Sequence, residues 1–460
     1  MFCSHCGKEN QQTSRFCMQC GKPLFAQANP AVHTAPTQQP TPNPQPIPNP
    51  QPIPNPQPTP NYQQAPNYQQ APNYQQAPNY QQAPNYQQAP NYQQAPNYQQ
   101  APNYQQNPNP THQQGNGFWG SIVGVANTIV GEENKPIDLH LKDLISDVSK
   151  KHTRREQEAI FAAGTEATTP DPSEMVSTWP KPWLYSRVLL LFGVTFALLV
   201  LIWNIFENPN VIPGAIFMGS LAVPFSVLVF FFEVNAPRNI SITEVIKVFF
   251  VGGVLSLLVT SVLFEIYPVA ELDYGGAIMV GIIEETAKLI TVIFFCRTMK
   301  PKYILNGLLI GAAVGAGFGV FETAGYAFQN MLGGVQNGMI IINWDTMMQV
   351  LFIRVTIALG GHVMWTALAG AAYVSVSQGR PFDFSYLANG AFLRIFIVSV
   401  VLHAVWDMPI DLKTDIPIVQ MVLIILVWIV ALVLINKGLQ QISVVSAEYK
   451  AAKAHQETVQ

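Results

Sequence analysis

From Arg187 onward the sequence alternates between long apolar stretches and short polar connections. Eight stretches, 187–206, 211–232, 245–264, 275–296, 303–327, 347–376, 386–407 and 416–436, are long enough as helices to cross a hydrocarbon layer of about 30 Å. A lipid-exposed backbone must satisfy its own amides, so the pattern predicts an all-α polytopic membrane bundle of about eight transmembrane helices. Cations divide unevenly between the connections. Lys181, Arg187, Arg238, Arg297, Lys300, Lys302, Arg380 and Lys437 fall on one side, while the opposite loops (207–210, 265–274, 328–346 and 408–415) hold only Lys413. The positive-inside bias then predicts a multi-pass protein of a bacterial cell membrane with both termini cytoplasmic.

Upstream the pattern changes completely. Residues 29–115 carry no Asp, Glu, Lys or Arg, and from Asn43 a six-residue period sets in. It begins as Asn-Pro-Gln-Pro-Ile/Thr-Pro and becomes Asn-Tyr-Gln-Gln-Ala-Pro, with tyrosines at 62, 68, 74, 80, 86, 92, 98 and 104. Recurrent proline removes amide donors and blocks helix and central strand, and too little apolar surface is available to offset the entropy of ordering. The segment therefore reads as a disordered, Pro/Gln/Asn-rich linker, averaging about 50 Å end to end as a flexible coil. Between 116 and 180 ordinary composition returns. Leu139, Leu141, Leu144, Ile145 and Val148 predict one short amphipathic helix, followed by Lys150, Lys151, Arg154 and Arg155. Phe118 and Trp119 with Ile122, Val123 and Ile129 suit either the lipid interface or a small packing element.

Composition agrees with this segregation. Only 11% of residues are charged and 49% are hydrophobic, with 37 prolines and 24 Lys+Arg against 27 Asp+Glu. A strongly basic nucleic-acid binder is thereby excluded, and no nucleic-acid partner is expected. Four of the five cysteines, Cys3, Cys6, Cys17 and Cys20, form two Cys-x-x-Cys pairs ten residues apart, each followed by glycine. Two such knuckles complete a closed, tetrahedral four-sulfur Zn²⁺ shell, and in so short a segment metal binding supplies the folding energy. The expected organisation is a zinc ribbon at 1–25, the linker at 26–115, a cytosolic juxtamembrane segment at 116–180, the membrane domain at 181–440 and a cytosolic tail at 441–460. The ribbon, tethered away from the membrane, is expected to recruit a protein partner. Cys296 reads as a small apolar filler.

Ionisable groups inside apolar spans are costly and mark functional sites. The fourth span carries Glu284, Glu285 and Lys288, and the fifth carries Phe318, Phe321, Glu322 and Tyr326. The sixth carries Arg354, His362, Trp365 and Thr366, and the seventh His403, Trp406 and Asp407. Glu284 and Lys288 share a helix face, as do His403 and Asp407. The depths allow all four helices to open onto one cavity in the outer half of the bilayer, with the sixth span tilted or broken near His362. Gly307, Gly311, Gly315 and Gly319 form a ridge that reads as close helix packing. Glutamates with two histidines are chemistry for activating water, with or without a divalent metal. A proton-coupled transporter and a non-catalytic scaffold use similar buried groups, but no internal repeat supports a carrier.

At these residues the sequence resembles the PrsW family of intramembrane proteases, related distantly to CAAX prenyl endopeptidases and bacteriocin-immunity-type membrane proteins. The markers are Glu284-Glu285-x-x-Lys288, Phe321-Glu322 with Tyr326, His362-x-x-Trp365 and His403-x-x-Trp406-Asp407, within about 180–440. Relatives carry arginine one residue beyond Lys288 and a histidine where Glu322 stands. The resemblance implies Glu284 as general base, Glu322 helping to hold the water, and His403 and Asp407 stabilising the oxyanion or ligating metal. His362 would complete the shell, with Glu285 and Lys288 supporting Glu284 from behind. Glu322, His362 and His403 are the implied ligands of a divalent metal in the membrane site. Implied substrates are membrane-anchored proteins, as in regulated cleavage of anti-sigma factors.

Overall fold

A computed structural model describes residues 118–131, 141–336, 339–412 and 417–459. The four N-terminal cysteines and the hexapeptide linker lie outside the described residues. Eleven helices of more than one turn-and-a-half dominate the rest: α1 (Phe118–Val130), α2 (Arg154–Phe161), α3 (Leu184–Phe206), α4 (Ile212–Val234), α5 (Ile242–Ile266), α6 (Tyr274–Met299), α7 (Ile304–Met331), α8 (Trp344–Ile357), α9 (His362–Ser377), α10 (Gly390–Asp407) and α11 (Ile418–Val459). Among the described residues, seven helical stretches are long and apolar enough to cross a membrane, α8 and α9 counting together as Trp344–Ser377. The chain is a multi-pass membrane protein. The remaining expected span, the fourth, is α6, which has 26 residues but carries Glu284, Glu285, Lys288 and Arg297, so its composition falls short of the others.

Several local expectations change. The amphipathic helix around Leu144 contracts to one turn, Asp143–Ser146, and the next helix begins after Thr153. Thr153 Oγ1 accepts the Glu156 amide while Glu156 accepts the Thr153 amide, a reciprocal cap that draws Arg154 and Arg155 into α2. The α1 helix buries Ala126 and Val130, and the Val130 carbonyl accepts from Lys437 of α11, so this element packs on the bundle. The connection 328–346 contains a two-stranded antiparallel hairpin, β1 (Leu332–Gln336) with β2 (Met339–Ile342). The α11 helix runs on through the expected tail to Val459.

The fold is organised around α7, whose apolar window is 94% buried. Its glycine ridge lies against α9. A Cβ at Gly307, Gly311 or Gly315 would come within 2.5, 2.1 and 2.3 Å of the carbonyl oxygens of Gly370, Thr366 and His362. Only glycine permits backbones this close, so the ridge does pack helices, and it also sets the height of His362. On the other side of α7, Gly317 meets the Phe249 carbonyl beside a π-helical turn at Val248–Gly252 in α5. Glu233, near the end of α4, accepts the backbone amides of Trp183, Leu184 and Tyr185 at 2.8–2.9 Å. It thereby caps α3, whose own N-cap residue offers no side-chain acceptor.

Candidate active site

The sixth span breaks where glycine allows it. After α8 the chain makes a short turn over Ala358–Gly360, and α9 restarts at His362. A Cβ on Gly360 would lie 2.5 Å from the Ile424 side chain, so α11 presses on the break. His362 becomes the first residue of a new helix inside the bundle, at the end where first-turn amides and the helix dipole favour negative charge.

Four helices then deliver their ionisable groups to one cluster. Glu284, Glu285 and Lys288 come from α6, Glu322 from α7, His362 from α9, and His403 with Asp407 from α10. Glu285 and Lys288 are wholly buried, and Glu284 and His403 nearly so. Glu322, His362 and Asp407 retain 16–18% side-chain exposure and form the open edge of the cluster.

The hydrogen bonds orient both imidazoles and fix the tautomer of His362. An ammonium can only donate, so His362 Nδ1 accepts from Lys288 Nζ at 3.0 Å and its Nε2–H donates to Glu322 Oε2 at 2.8 Å. His403 Nδ1–H donates to Glu285 Oε1 at 2.8 Å. Its Nε2 then faces Glu284 Oε2 and Asp407 Oδ2, each 3.6 Å away. Trp365 stacks on His403 with centroids 4.4 Å apart, locking the ring. Glu322 Oε2 also accepts from Arg354, whose Nε donates to Thr323 Oγ1 at 3.1 Å and whose guanidinium lies 4.4 Å from the Tyr326 ring.

One atom each from Glu284, His362 and His403 falls within 4.8 Å of the others, a spacing able to hold a metal ion. The donors suit one: a carboxylate and two imidazoles are a usual shell for zinc, and a neighbouring carboxylate steadies His403 from behind. His403 Nε2 faces two carboxylates, a position that a proton on this nitrogen or a bound cation would stabilise. The cluster holds four carboxylates (Glu284, Glu285, Glu322, Asp407) against two permanent cations (Lys288, Arg354), an imbalance a divalent ion would remove.

The structure thus brings together all six expected site residues. It groups the two histidines with Glu284, whereas Glu322 is engaged by His362 and Arg354. Arg354, Trp365 and Phe318 were visible in the sequence without a role. The rule that singles out intramembrane acids applies equally to Arg354 and marks it as a candidate, though not as the partner of Glu322.

A polytopic bundle with carboxylate and imidazole side chains converging in its interior has the architecture of a membrane protein with a buried polar centre. The matching family model is described as PrsW family intramembrane metalloprotease and covers residues 181–435, so the chain belongs to that protease family. A zinc-ribbon domain model matches residues 2–24. No curated protein and no solved structure matches the chain.

Proposed function

We propose that this chain hydrolyses peptide bonds of membrane-anchored proteins at the Glu284–His362–His403 centre. The observation that carries this is the meeting of those three side chains, from three separate helices, within 4.8 Å in a buried site with one partly open edge. Glu284 is the general base, its Oε2 3.6 Å from His403 Nε2 and 3.9 Å from His362 Nδ1, so a water at the trio lies within its reach. Where no ion is bound, His403 protonated at Nε2 donates to the carbonyl oxygen as charge develops there, Asp407 offsets the imidazolium, and the amino end of α9 adds its dipole. Glu322 holds His362 by its Nε2–H, Glu285 holds His403 by its Nδ1–H, and Lys288 offsets the paired glutamates. A divalent ion held by Glu284, His362 and His403 would supply Lewis-acid polarisation of the scissile carbonyl.

The substrate class follows from the site's place within the bundle: the target must enter from the bilayer. Cleavage of a membrane-tethered regulator, such as an anti-sigma factor, fits this arrangement. The cation bias of the connections orients both termini to the cytoplasm, where a zinc ribbon at Cys3, Cys6, Cys17 and Cys20 on a long linker recruits or senses a protein partner. In a membrane carrying a tethered reporter, Glu284→Gln is expected to abolish cleavage while the protein still accumulates. Unchanged cleavage by that variant rejects the assignment.

A further inference from the structure

Lys288 is wholly out of solvent, and its ammonium has three protons to place. They go to Glu285 Oε1 at 2.8 Å, His362 Nδ1 at 3.0 Å and Glu284 Oε2 at 3.3 Å, with the Phe318 ring centre 4.3 Å from Nζ. Two of these acceptors belong to residues of the metal-competent trio. The ammonium and a metal ion therefore draw on the same electron pairs, and two cations at that spacing repel strongly in a buried site. A second observation bears on where the ammonium can go. Glu285 Oε2 is buried and has no hydrogen-bond partner, unusual for a carboxylate oxygen held away from water. It belongs to the carboxylate that Lys288 already touches.

We propose that Lys288 is a two-position internal cation that competes with a divalent metal for Glu284 and His362. In one position it bridges Glu284, Glu285 and His362. In the other it withdraws onto both oxygens of Glu285, satisfying Oε2 and releasing Glu284 and His362 to the ion. The four-carbon stem of lysine allows that short swing, which a rigid guanidinium fork would not. Glu285 keeps its bond to His403 Nδ1 in both positions, so His403 Nε2 stays aimed throughout. The exchange leaves the buried carboxylates compensated at every stage and makes metal content depend on the lysine. This rests on the reading that Glu284, His362 and His403 hold the ion.

The test uses the full-length chain in nanodiscs titrated with cobalt(II) alone. Cobalt in a four-thiolate shell shows thiolate-to-metal charge-transfer absorption, and in an imidazole–carboxylate shell it does not, so ribbon and membrane site separate in one titration. Lys288→Met removes the competitor. Lys288→Met with Glu285→Gln removes it together with its nearest partner charge, keeping the net charge of the buried cluster unchanged, and decides the matter if the single variant does not accumulate. The double variant is expected to bind cobalt at the non-thiolate site about tenfold or more tightly than the unaltered chain, with ribbon binding unchanged. Equal or weaker binding, or no cobalt at the non-thiolate site in either protein, overturns the proposal. Loss of cleavage in Glu284→Gln alongside lysine-insensitive cobalt binding would retain the hydrolytic reading and remove only the competition. Normal cleavage in Glu284→Gln with tightened cobalt binding would do the reverse.

Discussion

His403 gives its Nδ1–H to Glu285 Oε1 at 2.8 Å, and this single bond decides which nitrogen faces the reaction centre. With Nδ1 committed, Nε2 is the atom presented to Glu284 and Asp407. Glu285→Gln keeps an acceptor for that proton, whereas Glu285→Ala removes it and lets the imidazole choose either tautomer. Cleavage of a membrane-anchored reporter is expected to fall about 10- to 100-fold in Glu285→Ala and markedly less in Glu285→Gln. Equal losses in the two variants would show that charge, not the tautomer, is what Glu285 provides.

Gly315 and Gly325 lie ten residues apart on α7, yet substitution should separate them. A methyl group at Gly315 would come within 2.3 Å of the His362 carbonyl oxygen, while at Gly325 it meets nothing within 4 Å. Gly315→Ala must push the start of α9 away and carry His362 with it. It is expected to cost about 1–3 kcal/mol in thermal unfolding and to depress cleavage, with Gly325→Ala close to neutral in both.

These sites show which parts of the molecule were legible beforehand. Apolar runs and cation bias marked the spans, because membrane helices must satisfy their own backbone and expel charge. The cluster was legible for the same reason: Glu284, Glu322, His362 and His403 stand out where lipid forbids them. Rotation was not legible. Residue number gives depth along a helix, but whether Glu322 faces Arg354 or Glu284 depends on how α7 turns against α8, which no local pattern encodes. A tilt or break near His362 was legible from the length of the sixth span, but Gly360 and Gly361 do not say which residue begins the new helix. The hairpin after Met331 and the one-turn helix near Leu144 depended on contacts and caps beyond the apolar periodicity.

The ribbon and the membrane centre are expected to be chemically independent, because a four-sulfur shell leaves zinc no open position. Replacing Cys3 and Cys6 by serine should remove about one zinc ion per chain, read by elemental analysis of the purified protein. Cleavage of a reporter presented at saturating level should persist. Loss of all hydrolysis in that variant would mean the ribbon is needed for catalysis and not merely for recruitment.

Arg354 offers the sharpest test of how α8 participates. Its guanidinium and the His362 Nε2–H both bind Glu322 Oε2, so the arginine reaches His362 only through that oxygen. Arg354→Gln leaves Glu322 without its counter-charge and free to turn from His362, and cleavage should drop about tenfold or more. Arg354→Lys restores charge without the fork that also engages Thr323 Oγ1, so it should recover only part of the rate. Because the contact is shared, Glu322→Gln and Arg354→Gln combined should be little worse than the more severe single variant. Fully additive losses in that double-mutant cycle would mean Arg354 acts elsewhere, on the substrate or on the packing of α8, and not through Glu322.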